Sequence, residues 1–414
     1  MSTDSLRSDP ARGPLLTNSF FVLLFLSLAG LFFVGVRFVK GIGAVSNLSD
    51  GYPWGIWVAY DVAIGTAVTC GGFAVALLSY IMHRGEYHSL VKSAILTSLF
   101  GAFLAASSIV VEIGRPWNAH GVFGPTSWQP SSAFFELALC AAGYLVAEVI
   151  EYLPAIVPVL GRGNPTSLRT LLFNFLEARG MVQVLPEKGG APTALLRRRI
   201  NQLLILIALA GIVLPTMHQS ALGSLMLIAQ TKLHPLWHGP FLPLLFLINC
   251  IYIGYAIVIF ESILACFAQG RPFRSGELAS AAALIPWLSA AWLVVRLWDL
   301  VHRDQIEAVF HGDFYSIFFL AECFLMTIGS APLFNRDKRR SPRRLFISAS
   351  MMLLGGGLYR FNVYLIGFNP GSGWHYFPSF AEVTISAGIV SLEILAYQVL
   401  IKLLPPNPEE SAGY

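Results

Sequence analysis

Charged residues are scarce in this chain of 414 residues. Only 12% are Asp, Glu, Lys or Arg, about half the ~25% of an ordinary soluble domain, whereas 55% are hydrophobic. The mean hydropathy is +0.65. This composition excludes soluble multidomain, disordered and collagen-like chains. Because the apolar segments are continuous rather than alternating, the sequence predicts an all-α polytopic membrane protein and not a β-barrel.

The motifs of common cofactor and metal sites are also lacking. All five cysteines lie in apolar segments and none forms a C-x2-C pair, so neither a zinc site nor a cysteine-bound iron–sulfur cluster is supported. There is no Walker motif, dinucleotide-binding glycine pattern or nucleophile elbow. No basic stripe with interleaved aromatics points to nucleic acid. We therefore expect no catalytic side chain and no metal of the chain's own.

Ten apolar segments are long enough to cross a bilayer as helices. They cover residues 19–36, 57–82, 91–113, 132–153, 200–217, 241–267, 280–301, 314–334, 344–367 and 380–404. The fifth is the weakest, because Pro215 and His218 cut it short. We expect one integral membrane domain at 19–404, with short tails at 1–18 and 405–414 and a polar loop at 154–199.

The distribution of basic residues predicts the orientation of these helices. Of the 27 Lys and Arg, 20 fall on the side of the bilayer that carries both termini, five on the opposite side and two within spans. Basic residues accumulate in cytoplasmic loops. We therefore expect a multi-pass protein of the cytoplasmic (inner) membrane with both termini in the cytoplasm.

The loops on the opposite side are poor in charge and rich in aromatics, Gly, Pro and His. Examples are residues 51–55 (GYPWG), 114–118 (GRPWN), 234–238 (HPLWH) and 369–376 (NPGSGWHY). An aromatic belt at the membrane interface explains much of this pattern. It does not explain the Gly and Pro beside nearly every aromatic cluster, so we interpret these loops as a docking face or as the cover of a pocket.

Ionisable residues inside the predicted spans are the main functional clue, because each is costly in hydrocarbon and faces the bundle interior. Nine polar residues fall near the outer surface by their position in the spans: Asp61, Glu112, Glu136, His218, Gln219, Arg296, Asp299, Arg360 and Glu382. Glu322 and Glu393 lie deeper, and Glu261 lies in the cytoplasmic half. Such a cluster can exchange protons. The alternative is a set of ion pairs that tie helices together, for example Arg296 with Asp299 on one helix face.

The histidines argue against a haem. A haem b in a helical bundle usually takes axial histidines inside the helices, and only His218 approaches a span interior. A metal bridged by His234 and His238 is equally unfavoured, because Pro235 places them in a loop. We therefore expect a proton-active site with no haem. A quinone fits such a site, since its ring needs an apolar slot with two hydrogen-bonding groups and its reduction takes up two protons.

Several motifs resemble a known family. Residues 51–61 (GYPWGIWVAYD), 214–226 (LPTMHQSALGSLM), 234–237 (HPLW), 312–316 (GDFYS) with Glu322, and 368–371 (FNPG) are similar to HybB-like membrane subunits of hydrogenase-2-type nickel–iron hydrogenases. These form a branch of the NrfD/polysulfide reductase membrane-subunit family. The resemblance covers about residues 30–405.

The resemblance implies a quinone-interacting anchor of a periplasm-facing respiratory complex. Electrons would pass between a periplasmic ferredoxin-like iron–sulfur subunit, which leads to large and small hydrogenase subunits, and a membrane pool of menaquinone or ubiquinone. It also implies two four-helix bundles, spans 2–5 and 6–9, with flanking helices.

The residues are expected to divide into two groups. The quinone-binding group is Asp61, His218, Gln219, Glu136 and Trp54. The proton-path group is Glu112, Arg296, Asp299, Glu322, Arg360, Glu382, Glu393 and Glu261. In the second group Glu112 stands at the mouth of the site, the arginines, Asp299 and Glu382 tune it, and Glu322, Glu393 and Glu261 lead toward the cytoplasm with possible proton translocation.

Three alternatives remain open. The chain is the membrane subunit of another NrfD-type oxidoreductase, a proton-coupled secondary transporter, or a purely structural anchor. A transporter would show broken helices in matching positions of two inverted halves. The candidates here, Pro286 and residues 355–357 (GGG), do not match. A structural anchor would tolerate loss of Asp61 and His218.

Overall fold

The structure, a computed structural model, describes residues 16–76, 88–124, 128–161, 194–269 and 275–403. Ten main helices in these ranges match the predicted spans in order. In chain order α1 to α10 are Asn18–Lys40, Gly65–Ala76, His88–Glu112, Ala133–Gly161, Ala194–Ile228, Leu242–Gln269, Ile285–His302, Phe314–Ser330, Pro342–Phe361 and Phe380–Leu403. A first π-helix, Trp57–Val62, precedes α2, and a second π-helix, Asn362–Ile366, follows α9.

Eight helices in the described ranges contain a stretch that is long and apolar enough to cross a membrane. The remaining two of the ten are α2, described as far as Ala76, and α9, which begins with the basic residues Arg343 and Arg344. Both pack between other helices, so they need fewer lipid-facing apolar residues. The prediction of an all-α, multi-pass membrane protein is confirmed.

Local sequence signals set several helix ends. The Thr17 hydroxyl accepts a hydrogen bond from the Phe20 amide (3.2 Å) and caps α1, and the Asp313 carboxylate accepts one from the Ser316 amide (2.7 Å) and caps α8. Pro286 and Pro342 stand in the first turns of α7 and α9, where a missing amide proton costs no intrahelical bond.

The fifth helix differs from its prediction. It does not end near Pro215 but runs from Ala194 through this proline to Ile228, and its membrane-length apolar stretch is Leu209–Ile228. Proline is tolerated in membrane helices because neighbouring groups satisfy the freed backbone. His218 therefore lies inside the helix rather than at its end.

Both ends of the predicted polar loop at 154–199 are helical in the structure. Helix α4 extends to Gly161 and α5 begins at Ala194. The intervening part of that loop lies outside the described residues, as do most of the two predicted tails.

The helices form two four-helix groups, as the resemblance implied. In the first, α2 packs on α3, α3 on α4, α4 on α5, and α5 on α2; in the second, α6 to α9 close a ring in the same way. Helix α6 joins the groups by packing on α2 and α5. Helices α1 and α10 pair with each other, and α10 lies against α3. Their crossing requires glycine, since a Cβ on Gly30 would stand 2.7 Å from the Gly388 Cα.

Candidate functional site

The aromatic loops meet at one end of the bundle, which we call the loop face. It comprises residues 41–56, 113–124, 128–132, 229–241, 303–313 and 367–379. Its segments are hydrogen-bonded to each other: the Asn47 side chain donates to the Phe377 carbonyl (2.9 Å), and the Asn369 amide donates to the Lys232 carbonyl (2.6 Å). Loops distant in sequence therefore form one structured surface.

Aromatic side chains lie directly beneath the loop face. The Trp54 indole donates to the Tyr364 carbonyl (2.9 Å), and its ring centroid is 4.8 Å from that of Phe368. Tyr52 stacks on Tyr376 with centroids 5.6 Å apart. These contacts join the loop before α2 to the loop after α9, so the rings do more than form an interfacial belt.

Asp61 lies in the first π-helix and is fully buried. Its Oδ2 accepts hydrogen bonds from the hydroxyls of Ser108 on α3 (2.9 Å) and Ser386 on α10 (2.8 Å). Its Oδ1 has no hydrogen-bond partner among the described residues. Three helices thus surround one carboxyl group that keeps a free oxygen.

Glu112 ends α3 close to Asp61 and repeats this arrangement. Its Oε1 accepts from the Gly55 amide (2.7 Å), and its Oε2 finds no partner in the described part of the chain. In the same described part, neither Glu112 nor Asp61 forms an ion pair with a Lys or Arg. We call Asp61, Glu112 and Glu382 the carboxylate cluster.

Glu382 has a different role from its two neighbours. Its carboxylate accepts from the Ser379 amide (2.8 Å), and the Ser379 hydroxyl accepts from the Glu382 amide (3.1 Å), which is a capping box at the start of α10. Tyr376 and the Asn47 amide also donate to it. Burial and the bond to this carboxylate raise the pKa of Tyr376, so its hydroxyl remains a donor. The sequence pattern of this capping box, S-x-x-E, is present at residues 379–382.

A second cluster lies in the other four-helix group. The Arg296 guanidinium stands 3.7 Å from the Glu322 carboxylate, and both side chains are fully buried. Glu322 also accepts from the Trp237 indole (3.1 Å) and the Asn362 amide (2.7 Å). We call these four residues the arginine cluster. The expectation that Glu322 is a step toward the cytoplasm is not supported, because its polar contacts are with this ion pair and with Trp237 of the loop face.

The contacts of Arg296 correct another prediction. Its guanidinium carbon lies over the rings of Phe319 (5.2 Å), Tyr359 (5.5 Å) and Trp292 (5.9 Å). The proposed pairing of Arg296 with Asp299 is wrong, since Asp299 pairs with Arg303 at 2.7 Å, one helical turn further on. The spacing of Arg296 and Asp299 along one helix made that pairing feasible, but only the packing of α8 against α7 shows which carboxylate faces Arg296.

Arg360 is buried without any carboxylate contact in the described residues. Its three nitrogens donate to the Asn249 side chain (2.5 Å) and to the carbonyls of Ala63 (2.9 Å) and Phe246 (2.9 Å). The guanidinium therefore braces α9 against α6 and against the turn before α2, and it does not touch the carboxylate cluster that it was expected to tune.

His218 and Gln219 occupy the interior of the first four-helix group. His218 Nδ1 lies 3.3 Å from the Leu137 carbonyl of α4, and the Gln219 amide donates to the Thr66 carbonyl of α2 (3.0 Å). The other polar atoms, His218 Nε2 and Gln219 Oε1, are buried with no described partner. Glu136 is half-buried in the first turn of α4, next to Leu137.

The predicted quinone-binding residues are thus not gathered in one place. Asp61 is bonded to α3 and α10, whereas His218 faces α4 and Trp54 reaches the second π-helix. Of the residues nearer the other end, Glu261 accepts from the Thr97 hydroxyl, and Glu393 is half-buried on α10. The partners Ser108, Ser386, Asn249 and Asn362 were missed, since a neutral polar residue in a span gives little signal.

Comparison with known proteins identifies the family. A family model described as polysulphide reductase, NrfD, matches residues 44–369. The chain belongs to the NrfD family. This membership confirms the resemblance drawn from the motifs, which lie largely inside the matched range.

Two relatives illustrate the range of this family. The chain is 38% identical over 375 residues to the probable Ni/Fe-hydrogenase 2 b-type cytochrome subunit of Escherichia coli K12, covering 90% of this chain and 88% of that protein. It is 23% identical over 397 residues to the integral membrane subunit of a menaquinone reductase from Nitratidesulfovibrio vulgaris, covering 90% of this chain and 87% of that protein. The named relatives of this chain thus belong to more than one redox complex.

The name of the Escherichia coli relative overturns one expectation. Our prediction that no haem is bound is wrong on this comparison, because that protein is named a b-type cytochrome subunit. The prediction assumed two axial histidines, whereas a haem iron can be held by one. Of the histidines whose side chains are described, only His218 is buried inside a span, and its Nε2 has no partner there. The described residues fit one axial histidine and do not fit two.

Proposed function

We propose that this NrfD subunit exchanges electrons and protons with a lipid-soluble quinone at the loop-face end of the first four-helix group. One observation carries the proposal. His218 and Gln219, adjacent on α5, each bond a backbone carbonyl of a neighbouring helix and leave a second polar atom buried and unpartnered among the described residues. Buried polar atoms are rarely left unsatisfied, so an external group is the expected partner.

The protonation of these atoms favours a particular partner. Since Nδ1 faces a carbonyl, it carries the imidazole proton, and Nε2 is an acceptor. The Gln219 amide nitrogen faces a carbonyl too, so Oε1 is also an acceptor. Two acceptors fit the two hydroxyl groups of a quinol. On oxidation the quinol gives up two electrons and two protons, and Nε2 is placed to receive a proton.

The carboxylate cluster supplies the next proton-holding groups. Asp61 and Glu112 each use one oxygen for structure and keep the other free. A buried carboxyl group with a free oxygen can take up or release a proton without losing its structural bonds. Glu136 and Trp54 remain predicted members of the quinone site.

Direct binding tests this proposal without any partner subunit. The purified chain in detergent is titrated with a fluorescent quinone analogue of the hydroxyquinoline N-oxide type. We expect His218→Ala to weaken binding at least about 10-fold, the loss of one or two buried hydrogen bonds. His302→Ala is the matched control, because His302 is exposed at the loop-face end of α7. Equal affinity of the two variants for the analogue would rule out His218 as a quinone ligand.

The partner is proposed to be an iron–sulfur subunit docked on the loop face, which leads to a hydrogenase. The name of the Escherichia coli relative and the low charge and aromatic content of the loop face support this assignment. Co-purification of the chain with non-haem iron is the expected result. Purification of the intact membrane complex without iron–sulfur protein would contradict it.

A different redox partner is the second candidate. The menaquinone reductase relative supports it, as does a selenate reductase component from Mesobacillus selenatarsenatis that is 19% identical over 418 residues and covers 93% of each chain. The identity of the co-purifying catalytic protein decides between the two candidates.

The membrane orientation is likewise a proposal. The excess of Lys and Arg in the loops opposite to the loop face supports a cytoplasmic location of both termini in an inner membrane. A reporter that is active only in the cytoplasm, fused after Tyr414, is expected to be active. A fusion protein that is produced but inactive would show that the C-terminus lies on the opposite side of the membrane.

A haem in this chain would take His218 as its axial histidine and would supply one-electron transfer. Such a haem would use the imidazole nitrogen that is proposed to face the quinol, so haem and quinol would compete for one atom. A pyridine haemochrome spectrum of the purified chain, with His218→Ala alongside, decides between them. If the native chain contains haem and His218→Ala does not, His218 is a haem ligand and the quinol site must lie elsewhere.

A further inference from the structure

The two π-helices lie side by side where the four-helix groups meet. The first, Trp57–Val62, enters α2 of one group, and the second, Asn362–Ile366, leaves α9 of the other. Each has the hydrogen bond between residues five apart that defines a π-helix. The Ala63 amide donates to the Val58 carbonyl (2.9 Å), and the Gly367 amide donates to the Asn362 carbonyl (2.7 Å). π-helices are rare and are frequent at functional sites.

Each π-helix carries one side chain of a different cluster. Asp61, in the first, belongs to the carboxylate cluster, and Asn362, in the second, donates to Glu322 of the arginine cluster (2.7 Å). A shift of either π-helix therefore changes the geometry of one cluster.

The widened turn frees a backbone carbonyl near each π-helix. The Ala67 amide, the ordinary helical partner of the Ala63 carbonyl, donates instead to Ile64 (2.9 Å). At the end of the second π-helix, the Tyr364 carbonyl receives a side-chain donor in place of a helical one. Buried carbonyls of this kind need another donor.

In both cases that donor is a side chain just before the opposite π-helix. Trp54, three residues before the first π-helix, donates to Tyr364 of the second (2.9 Å). Arg360, two residues before the second, donates to Ala63, which follows the first (2.9 Å). The two bonds form a reciprocal brace, and the other two donors of Arg360 anchor it to α6.

We propose that Trp54 and Arg360 are positioning residues that couple the carboxylate cluster to the arginine cluster. Through the brace, a change at Asp61 alters the second π-helix, and a change at Glu322 alters the first. Because coupling between two sites is reciprocal, both directions carry the same free energy. The brace itself is independent of the proposed function; its consequence for quinol binding rests on that function.

Hydrogen exchange measures the coupling without any ligand. In the purified chain, Asp61→Asn is expected to speed amide exchange in peptides covering residues 360–368, although the Asp61 bonds point to α3 and α10. The expected change is at least about five-fold. In a Trp54→Phe background, the same substitution is expected to add nothing. Trp287→Phe, on the exposed side of α7, is the control and leaves the response intact.

Two results would overturn the brace. One is an unchanged exchange rate at 360–368 after Asp61→Asn, and the other is an equal response with and without the Trp54 indole. Arg360→Lys provides a second route, with Arg344→Lys at the other end of α9 as its control. Since lysine carries one ammonium in place of three directed donors, it is expected to abolish the response as well.

Quinone-analogue affinity provides a separate readout. Glu322→Gln is expected to change the affinity in the native chain and to leave it unchanged in Trp54→Phe. If the analogue does not bind to any variant, the proposed function fails while the exchange experiment still decides the brace.

Discussion

The carboxylate cluster and the arginine cluster contain similar side chains in opposite arrangements. Asp61 and Glu112 are held by hydroxyl and amide donors, keep free oxygens, and have no cation partner among the described residues. Glu322 has a guanidinium at 3.7 Å, and Arg296 is enclosed by three aromatic rings. A buried charge in a membrane helix is therefore not a functional residue by itself. We propose that its partner decides whether it exchanges protons or joins helices.

Removal of Arg296 is expected to have the largest effect on stability. Arg296→Met leaves the Glu322 carboxylate buried without its cation, which costs about 3–5 kcal/mol. Thermal unfolding of the purified chain measures this loss. Arg336→Met is the control, because Arg336 is exposed and surface charges contribute only about 0–1 kcal/mol. Similar losses in the two variants would mean that the arginine cluster is not a lock.

Asp61→Asn is expected to have the opposite profile. Its stability changes by less than about 1 kcal/mol, since Ser108 and Ser386 can both donate and accept and no cation loses its partner. Quinone-linked turnover of the membrane complex is expected to fall about 100-fold, the usual scale of a lost proton-transfer group. Asp304→Asn, in an exposed loop, serves as the control. A stable variant with full turnover would make Asp61 structural.

Glu382 separates capping from proton chemistry. Glu382→Ala is expected to cost about 1 kcal/mol of stability because the capping box is lost, whereas Glu382→Gln keeps its acceptor oxygen and costs little. Both variants are expected to retain most quinone-linked turnover. A fall in turnover of Glu382→Gln that matches Asp61→Asn would place Glu382 with Asp61 and Glu112.

The smallest effect is expected for the predicted path toward the cytoplasm. Glu393→Gln is expected to leave turnover within about two-fold and to reduce the membrane potential formed per electron in proteoliposomes. Glu307→Gln, exposed on the loop face outside the ten helices, is the control. An unchanged potential per electron would remove Glu393 from the path.

Much of the fold follows from the sequence, because apolar runs of membrane length are local signals. All ten helices overlap the runs that predict them, but α4 extends past its predicted end to Gly161 and the end of α5 was misjudged. There Pro215 suggested an end, but packing of α5 between α4 and α2 carries the helix to Ile228.

The site was less predictable for a physical reason. Depth along a span can be calculated from position, but the neighbour that a side chain faces depends on how helices pack. Sequence therefore placed Arg296 and Glu322 in spans without showing that they pair across α7 and α8. The two π-helices were invisible for the same reason, since their stabilising donors, Trp54 and Arg360, lie more than 300 residues apart.

A density map of the purified chain with a bound menaquinone analogue tests the central claim most directly. The account predicts the ring in its quinol form between α4 and α5, with one hydroxyl oxygen within hydrogen-bonding distance, about 3 Å, of His218 Nε2 and the other hydroxyl oxygen at a similar distance from Gln219 Oε1. A ring lodged against the Arg296–Glu322 pair or on the lipid-facing surface, with His218 and Gln219 closed onto protein atoms, would contradict it.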